Sequence, residues 1–464
     1  MGSNHMTGTT SGAHEKWSSK MTFILATVGF SVGLGNIWRF PYLAGQNGGG
    51  AFVIIYIGCV LLIGIPIVMA ELAIGRRGGK TPAATMGLIA ARQNKSPLWA
   101  WAGGLAMLTG FLIVTYYCVI GGWTLHYIAL GSTGALNNID AETSGAIYKA
   151  LLSNPWKLAF WQFIFLALNV AIAYQGLKGG IERAVKILMP TLFVLLIALA
   201  IYGLIAGDAV QGLSFLFRPD FSQVTGKTFL DAMGQAFFSV GVGMAAMMTY
   251  GAYLPKKINI PQTASIIAFA DTGVALIAGM AIFPFVFALG LSPSEGPGLV
   301  FVTLPAALAN LSGGGIAITA FFILLAVAAL TSSIALFEVV GSWGEEKGWS
   351  RHPTIIITAS LCFVIGLLTV FSLNIASGFH PMSYIPGYET ATMFGAIERL
   401  TATVGLPLGG LFVALFAGWV MSRKSIAEEL SLDAEGLAFR TWSFLVRWPL
   451  PLVIAALLIG GVKG

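Results

Sequence analysis

The sequence predicts an all-helical bundle that crosses a membrane about eleven times. Three observations carry that reading. Of the 464 residues, 56% are hydrophobic and only 9% charged, against roughly 25% charged in an ordinary soluble domain. Mean hydropathy is +0.83. The apolar residues gather into runs of the ~20 residues a helix needs to cross a hydrocarbon layer of roughly 30 Å. These runs are continuous rather than alternating, which excludes a β-barrel. A soluble enzyme, a disordered chain and a secreted disulfide scaffold are excluded on composition.

In chain order the candidate spans are 20–44, 51–75, 98–130, 156–176, 181–206, 228–254, 261–290, 316–344, 354–372, 389–421 and 441–462. The opening Met1–Met6 stretch reads as a vector-derived scar and is set aside. Four segments follow: an N-terminal tail over 1–16, a first five-helix unit over 17–206, a second over 207–421, and a closing loop and helix over 422–464.

Charge orients the bundle. With the N-terminus in the cytoplasm, the inner segments gather Arg76, Arg77, Lys80, Arg92, Lys95, Lys178, Arg183, Lys186, Lys256, Lys257, Arg423 and Lys424. The outer segments hold only Lys149, Lys157, Arg218, Lys227 and Lys463. This bias predicts a multi-pass protein of the cell membrane, N-terminus inside and C-terminus outside. The formal charge of +6 thus reflects topology; the basic residues are too scattered for nucleic acid. Cys59, Cys118 and Cys362 sit in apolar runs as small hydrophobes. No two of His5, His14, His126, His352 and His380 have metal-ligand spacing.

Spans 1 and 6 are interrupted alike, by Ser31-Val32-Gly33-Leu34-Gly35-Asn36 and by Ser239-Val240-Gly241-Val242-Gly243. Helical rise puts Ser31 roughly 16 Å past Lys20 and Ser239 roughly 18 Å past Lys227, near the bilayer midplane. Each glycine costs about 1 kcal/mol against alanine inside a helix, and unwound backbone at that depth must face protein or a wet cavity. The breaks lie five spans apart, an odd offset that reverses direction through the membrane. An inverted five-helix repeat with its binding site between the halves produces that pattern. The alternative is glycine serving close helix packing.

Asp271 falls about 15 Å past Pro261 in span 7. A carboxylate there costs at least ~2.5–3.5 kcal/mol unless compensated, and a cation with oxygen ligands from Ser31, Asn36 and Ser239 is the simplest compensation. A structural Asp bonded to exposed backbone is the other reading. In span 8, Ala328, Thr331 and Ser332 share one helix face and offer a second small cation two hydroxyls, unless they serve only to bond their own helix. Arg39 and Glu398 should not sit unpaired in lipid; a mutual ion pair above the cavity satisfies both, as does separate snorkelling. Gly241-Val242-Gly243-Met244-Ala245-Ala246 matches a dinucleotide fingerprint but lies inside a span, where that motif has no meaning.

The stretch from Gly29 to Pro41 (GFSVGLGNIWRFP), followed by Asn47–Phe52 (NGGGAF), closely resembles the signature of the neurotransmitter:sodium symporters. Tyr116-Tyr117 with Gly122–Leu125, Gly234–Ser239 and Leu330–Ser333 match the family in the same order. Eleven spans rather than twelve resembles its bacterial members, especially carriers of multiple hydrophobic amino acids.

The resemblance implies two inverted five-helix repeats plus one helix. It implies a first sodium held by Ser31, Asn36, Ser239 and Asp271 with the substrate carboxylate, and a second by Gly29, Val32, Ala328, Thr331 and Ser332. It implies a substrate pocket of Leu34, Gly35, Ile113, Tyr117, Phe238, Ser239, Gly241, Met244, Ser332 and Leu336, with Phe238 as lid and Arg39 and Glu398 as outer gate. Trp17 and Glu346 fall at the inner gate, where His14 replaces the usual basic partner, and Gly180 with Pro190 matches a spacing tied to unwinding of span 5. Chloride-dependent relatives have Asn where Asp271 stands, so the resemblance implies that no chloride is required. Gly33, where monoamine carriers are acidic, favours an amino acid over an amine.

The function expected is sodium-coupled import of hydrophobic L-amino acids by alternating access, with two sodium ions, an amino-acid substrate and the bilayer as partners, and no enzymatic step. An oligomer is not implied. A cation channel and an intramembrane hydrolase are the other classes; the first needs no amino acid, and the second needs a nucleophile with a base or paired aspartates. The other span aspartate, Asp231, falls at the start of span 6, far from the depth of Asp271.

Overall fold

Helix starts are written locally. Ser19 and Thr22 close a capping box, each side chain accepting the other's backbone N–H at 3.1 and 3.2 Å. Asn154 and Asn259 cap later helices by accepting from the N–H groups of Lys157 and Gln262, at 3.0 and 2.8 Å, with Pro155 and Pro261 placed in the first turn. The computed structural model describes residues 16–290, 298–385 and 387–462, and all regular elements among them are helical.

Nine continuous helices are long and apolar enough to span: Gly50–Gly78, Pro97–Ser132, Pro155–Ala173, Leu177–Ala206, Ile260–Ala288, Gly314–Glu346, Arg351–Ser372, Met393–Val420 and Leu437–Gly461. The first candidate span is a pair, Lys20–Ser31 and Gly35–Gln46, bent by 48°. The sixth is Gly226–Val240 followed by Ala246–Ala252, each half too short to cross alone. With those two broken elements, the helices follow the eleven apolar runs one for one. The connecting helices Pro82–Arg92, Ala141–Leu152, Ala209–Phe217, Leu304–Ala309 and Arg423–Leu430 fall between the runs.

Four widened π-helical turns share one cause. Gly35–Arg39, Val60–Gly64, Leu299–Thr303 and Leu400–Gly405 each end two residues before a proline: Pro41, Pro66, Pro305 and Pro407. Proline lacks the N–H that would bond four residues back, and its ring crowds that carbonyl. The preceding turn widens to accommodate both.

The eighth span is the axis of the bundle. It is the most buried of the long helices and packs along the third. The first half of the broken first span lies against the fifth and eighth, and both halves of the sixth lie along the second. On the fifth span Ile187, Val194 and Ile201 repeat every seven residues and are exposed, forming an apolar stripe suited to lipid. The breaks are therefore held at the centre, with apolar side chains on the outside.

Candidate substrate and cation sites

The two breaks meet. Val32 leaves the helix in an extended conformation (φ −74°, ψ 94°), and the sixth span stops at Gly241, where φ is +73°. Gly243 and Ala245 are also left-handed, at +82° and +69°. A Cβ at Gly241 would collide with the Phe30 ring, so sterics and conformation both require glycine there. Ser31 Oγ donates to the Val240 carbonyl at 3.2 Å and joins the breaks directly.

Buried side chains take up the backbone groups that unwinding frees. Glu71 Oε1 accepts from the Gly243 N–H at 2.8 Å. The Tyr117 hydroxyl accepts from the Leu34 N–H at 3.0 Å, Asn36 Oδ1 from the Gly33 N–H at 3.1 Å, and Gln235 Nε2 donates to the Gly35 carbonyl at 2.8 Å. Unwound backbone persists at membrane depth only with such partners.

Beside the junction lies a cluster of oxygens. Ser239 Oγ donates to Asp271 Oδ2 at 2.6 Å, and the Tyr56 hydroxyl reaches the same oxygen at 3.3 Å. Asn36 Nδ2 donates to Asp271 Oδ1 at 2.8 Å, to its carbonyl at 3.0 Å and to Ser239 Oγ at 2.9 Å. All four side chains are buried, and Asp271 forms no ion pair among the described residues. Three of the expected ligands, Asn36, Ser239 and Asp271, are thus brought together, with Ser31 next to them. The Asn36 amide turns its nitrogen, not its oxygen, towards the carboxylate. Tyr56 was missed by sequence reasoning; a hydroxyl inside span 2 was the available signal.

A second cluster joins spans 1 and 8. Ser332 Oγ donates to the Phe30 and Ala328 carbonyls at 2.9 and 3.1 Å and lies 3.5 Å from the Gly29 carbonyl. Thr331 Oγ1 bonds the Val327 and Ala328 carbonyls, both at 3.1 Å. The hydroxyls therefore do bond their own helix, but Ser332 also crosses to the first span, and Val32 stands at the break beside them. A Cβ at Gly33 would lie 2.7 Å from both Ser332 Oγ and the Tyr117 hydroxyl, so this approach needs a residue without a side chain.

Between the clusters is a cavity of about 30 Å³, lined by Phe30, Ser31, Gly33, Gly35, Ile113, Tyr117, Phe238, Gly241, Met244, Ser332 and Leu336. Eight of the ten residues expected in the substrate pocket line it. Leu34 instead faces a vestibule above it, and Ser239 belongs to the oxygen cluster. The cavity has room for water or an ion, since a water needs roughly 10–15 Å³. An amino-acid side chain requires a wall to move.

Phe238 and Tyr117 are the walls shared with the vestibule, which holds about 370 Å³ and is also lined by Arg39, Tyr116, Trp123 and Glu398. The expected Arg39–Glu398 ion pair is not formed among the described residues. Arg39 donates to Gln235 Oε1 at 3.3 Å and to the Gly234 carbonyl at 3.4 Å, with its guanidinium 5.1 Å over the Phe238 ring. These partners compete for the charge and leave Glu398 facing it across the vestibule.

The opposite end is sealed. Trp17 is buried between Phe23 and Tyr250, at ring separations of 5.7 and 5.1 Å, and donates to the Tyr250 carbonyl at 3.1 Å. Glu182 takes the Ser18 N–H at 2.8 Å and its hydroxyl. Tyr253 donates to Glu338 at 2.9 Å, and Glu338 pairs with Arg351 at 2.5 Å. Glu346 accepts from the Thr81 N–H at 2.8 Å and forms no hydrogen bond with Trp17 among the described residues, the Trp17 indole donating to Tyr250 instead. His14 lies outside the described residues. Gly180 sits in the π turn Leu177–Ile181, and Pro190 is accommodated within the continuous helix Glu182–Ala206. Sequence reasoning missed Glu71, Glu182 and Glu338. Carboxylates inside or at the ends of apolar runs were the signal, the same one that marked Asp271.

Residues 14–143 and 151–445 match the sequence profile described as the Sodium:neurotransmitter symporter family. The chain belongs to this family. Among relatives of the symporter, the uncharacterized sodium-dependent transporter YhdH of Bacillus subtilis is 35% identical over 446 residues, 95% of this chain and 96% of the relative. An uncharacterized sodium-dependent transporter of Haemophilus influenzae is 33% identical over 461 residues, 97% and 98% of the two chains. Among solved structures, MhsT in complex with L-phenylalanine superposes with a TM-score of 0.88 at 40% identity, covering 97% of this chain and 100% of that one. The fold is therefore that of a sodium-dependent transporter with two inverted five-helix repeats, broken first and sixth helices and one further helix, and the protein is not an enzyme.

Proposed function

We propose that this symporter imports hydrophobic L-amino acids, aliphatic and aromatic, with two sodium ions and without chloride. The reading rests on one observation: a buried carboxylate, Asp271, with no ion pair among the described residues, bonded to Ser239 and Asn36 where the two broken helices meet, next to an apolar cavity. Sodium is a hard cation that takes oxygen ligands, and an amino-acid carboxylate beside Ser31, Asn36, Ser239 and Asp271 completes its shell. Gly29, Val32, Ala328, Thr331 and Ser332 form the second site. The fixed charge of Asp271 takes the place of a bound chloride.

The rest of the pocket suits an apolar side chain. Ile113, Met244 and Leu336 offer burial worth about 0.8 kcal/mol per CH₂, and Gly241 lines the same cavity without a side chain of its own. Leu34, Gly35 and Tyr117 position the backbone end, with the Tyr117 hydroxyl towards the carboxylate and Phe238 as lid. The structure of MhsT with L-phenylalanine supports a substrate of this class.

Transport follows by alternating access of residues 17–206 against 207–421, with 422–464 outside the repeats and the tail 1–16 before them. Arg39 and Glu398 gate the vestibule, which we place outside; Trp17 and Glu346 gate the sealed end, and Gly180 with Pro190 lets span 5 open there. The charge bias supports an N-terminus in the cytoplasm and a C-terminus outside the cell membrane. Each sodium entering gains about 2.3 kcal/mol per 100 mV of inside-negative potential. Sodium and substrate raise each other's affinity equally, as linkage requires.

Purified protein in proteoliposomes tests this. An inward sodium gradient should accumulate radiolabelled L-leucine, with L-phenylalanine and L-tryptophan competing and L-lysine not. Accumulation that persists after the gradient is dissipated, or competition dominated by charged amino acids, would overturn it.

A further inference from the structure

At the sealed, basic face a separate cavity of about 300 Å³ opens where the second span ends against Pro82–Arg92, Arg423–Leu430 and the turn before Ile260. Its polar lining is Arg76, Arg77, Arg92, Lys256, Gln93 and Ser425, with Glu429 the one acid among the lining residues. It touches none of the residues assigned to transport.

The acids there are already committed. Arg76 pairs with Glu429 at 2.8 Å, donates to the Ile258 carbonyl at 2.7 Å and bonds the Glu429 carbonyl. Arg77 pairs with Glu428 at 3.1 Å and Glu429 at 3.3 Å. The Arg92 and Lys256 side chains are exposed and make no hydrogen bond or ion pair among the described residues; the Lys256 backbone carbonyl accepts from Arg76 at 3.5 Å. Ser425 is only 4% exposed, and its hydroxyl has no hydrogen-bond partner among the described residues. Three uncommitted groups, two cations and a buried hydroxyl, thus converge on one space from three different segments, with the Gln93 amide beside them.

A buried hydroxyl without a partner is uncommon in a native protein. Carboxylate ligands from the chain would not leave two cations idle around it. Arginine and lysine are the side chains that hold phosphate, by fork and by point charge, and basic pockets between spans at the membrane surface take phosphorylated headgroups.

We propose that this cavity binds a phosphate group, with Arg92, Lys256 and Ser425 as its donors and Arg77 as the neighbouring charge. Two sources share that chemistry, an anionic phospholipid headgroup and a soluble phosphate.

Full-length protein in detergent, mixed with phosphatidylglycerol, phosphatidylcholine or inorganic phosphate, distinguishes them by native mass spectrometry and thermal shift. Retention of phosphatidylglycerol over phosphatidylcholine assigns the lipid; stabilisation by inorganic phosphate alone assigns the soluble ligand. In either case Arg92→Gln with Lys256→Gln should weaken binding about tenfold or more, and Ser425→Ala by a few-fold. The Arg92 and Lys256 side chains are exposed and unpaired among the described residues, so the double variant should keep its melting temperature without ligand. Equal retention of the two lipids with no phosphate shift, or unchanged binding in both variants, would overturn the proposal.

Discussion

Ser239 and Asp271 lie 2.6 Å apart, oxygen to oxygen, and both are buried at the point where the sixth span comes undone. Ser239 is in the last turn before Gly241, so the carboxylate of one helix is tied to the broken end of another. Any ion that Asp271 holds is thereby coupled to the position of that break.

Asp271→Asn should remove the fixed charge and keep the hydrogen-bonding shape. The sodium concentration for half-maximal uptake should rise about tenfold, because ligand charge sets cation affinity. Uptake by the variant should also become stimulated by chloride, read by exchanging chloride for gluconate.

Glu71 serves the other side of the break. Glu71→Ala strands the Gly243 N–H in the protein interior, which should lower stability by about 1–3 kcal/mol. Glu71→Gln, which keeps an acceptor oxygen, should recover most of that loss. Thermal unfolding in detergent reads both.

Gly33→Ala inserts a methyl 2.7 Å from two hydroxyl oxygens, those of Ser332 and Tyr117. Overpacking of this kind costs about 1–3 kcal/mol. The expected outcome is a loss of about tenfold or more in leucine affinity at saturating sodium, measured by equilibrium binding, with expression unchanged.

Phe238 separates the inner cavity from the vestibule and carries Arg39 over its ring. Phe238→Ala should merge the two spaces and raise the KM for phenylalanine about tenfold, as expected when an aromatic wall is removed. The same change should speed dissociation of bound substrate towards the vestibule side.

Much of this arrangement was legible in the sequence. Paired glycines at matching depth in spans 1 and 6 announced both breaks, and the depth of Asp271 announced a polar centre. Ile113, Met244 and Leu336, remote in sequence, line the same cavity, and only the family resemblance pointed to them together. The partners that satisfy unwound backbone were not visible. Glu71 finds the Gly243 N–H only once two helices are packed, and Tyr56 reaches Asp271 across the same gap. Arg39 shows the limit of pairing opposite charges by sequence: Gln235 and the Phe238 ring compete for it locally, and hydropathy carries no record of them. The π turns before Pro41, Pro66, Pro305 and Pro407 follow from the proline ring and were open to prediction.

The most direct test titrates sodium against binding of radiolabelled L-leucine to the purified protein in chloride-free gluconate buffer. Saturable binding that rises steeply with sodium, and is unaffected when chloride is restored, is the predicted result. Leucine binding that ignores sodium, or that appears only when chloride is added, would contradict a site in which Asp271 and the substrate carboxylate share one cation.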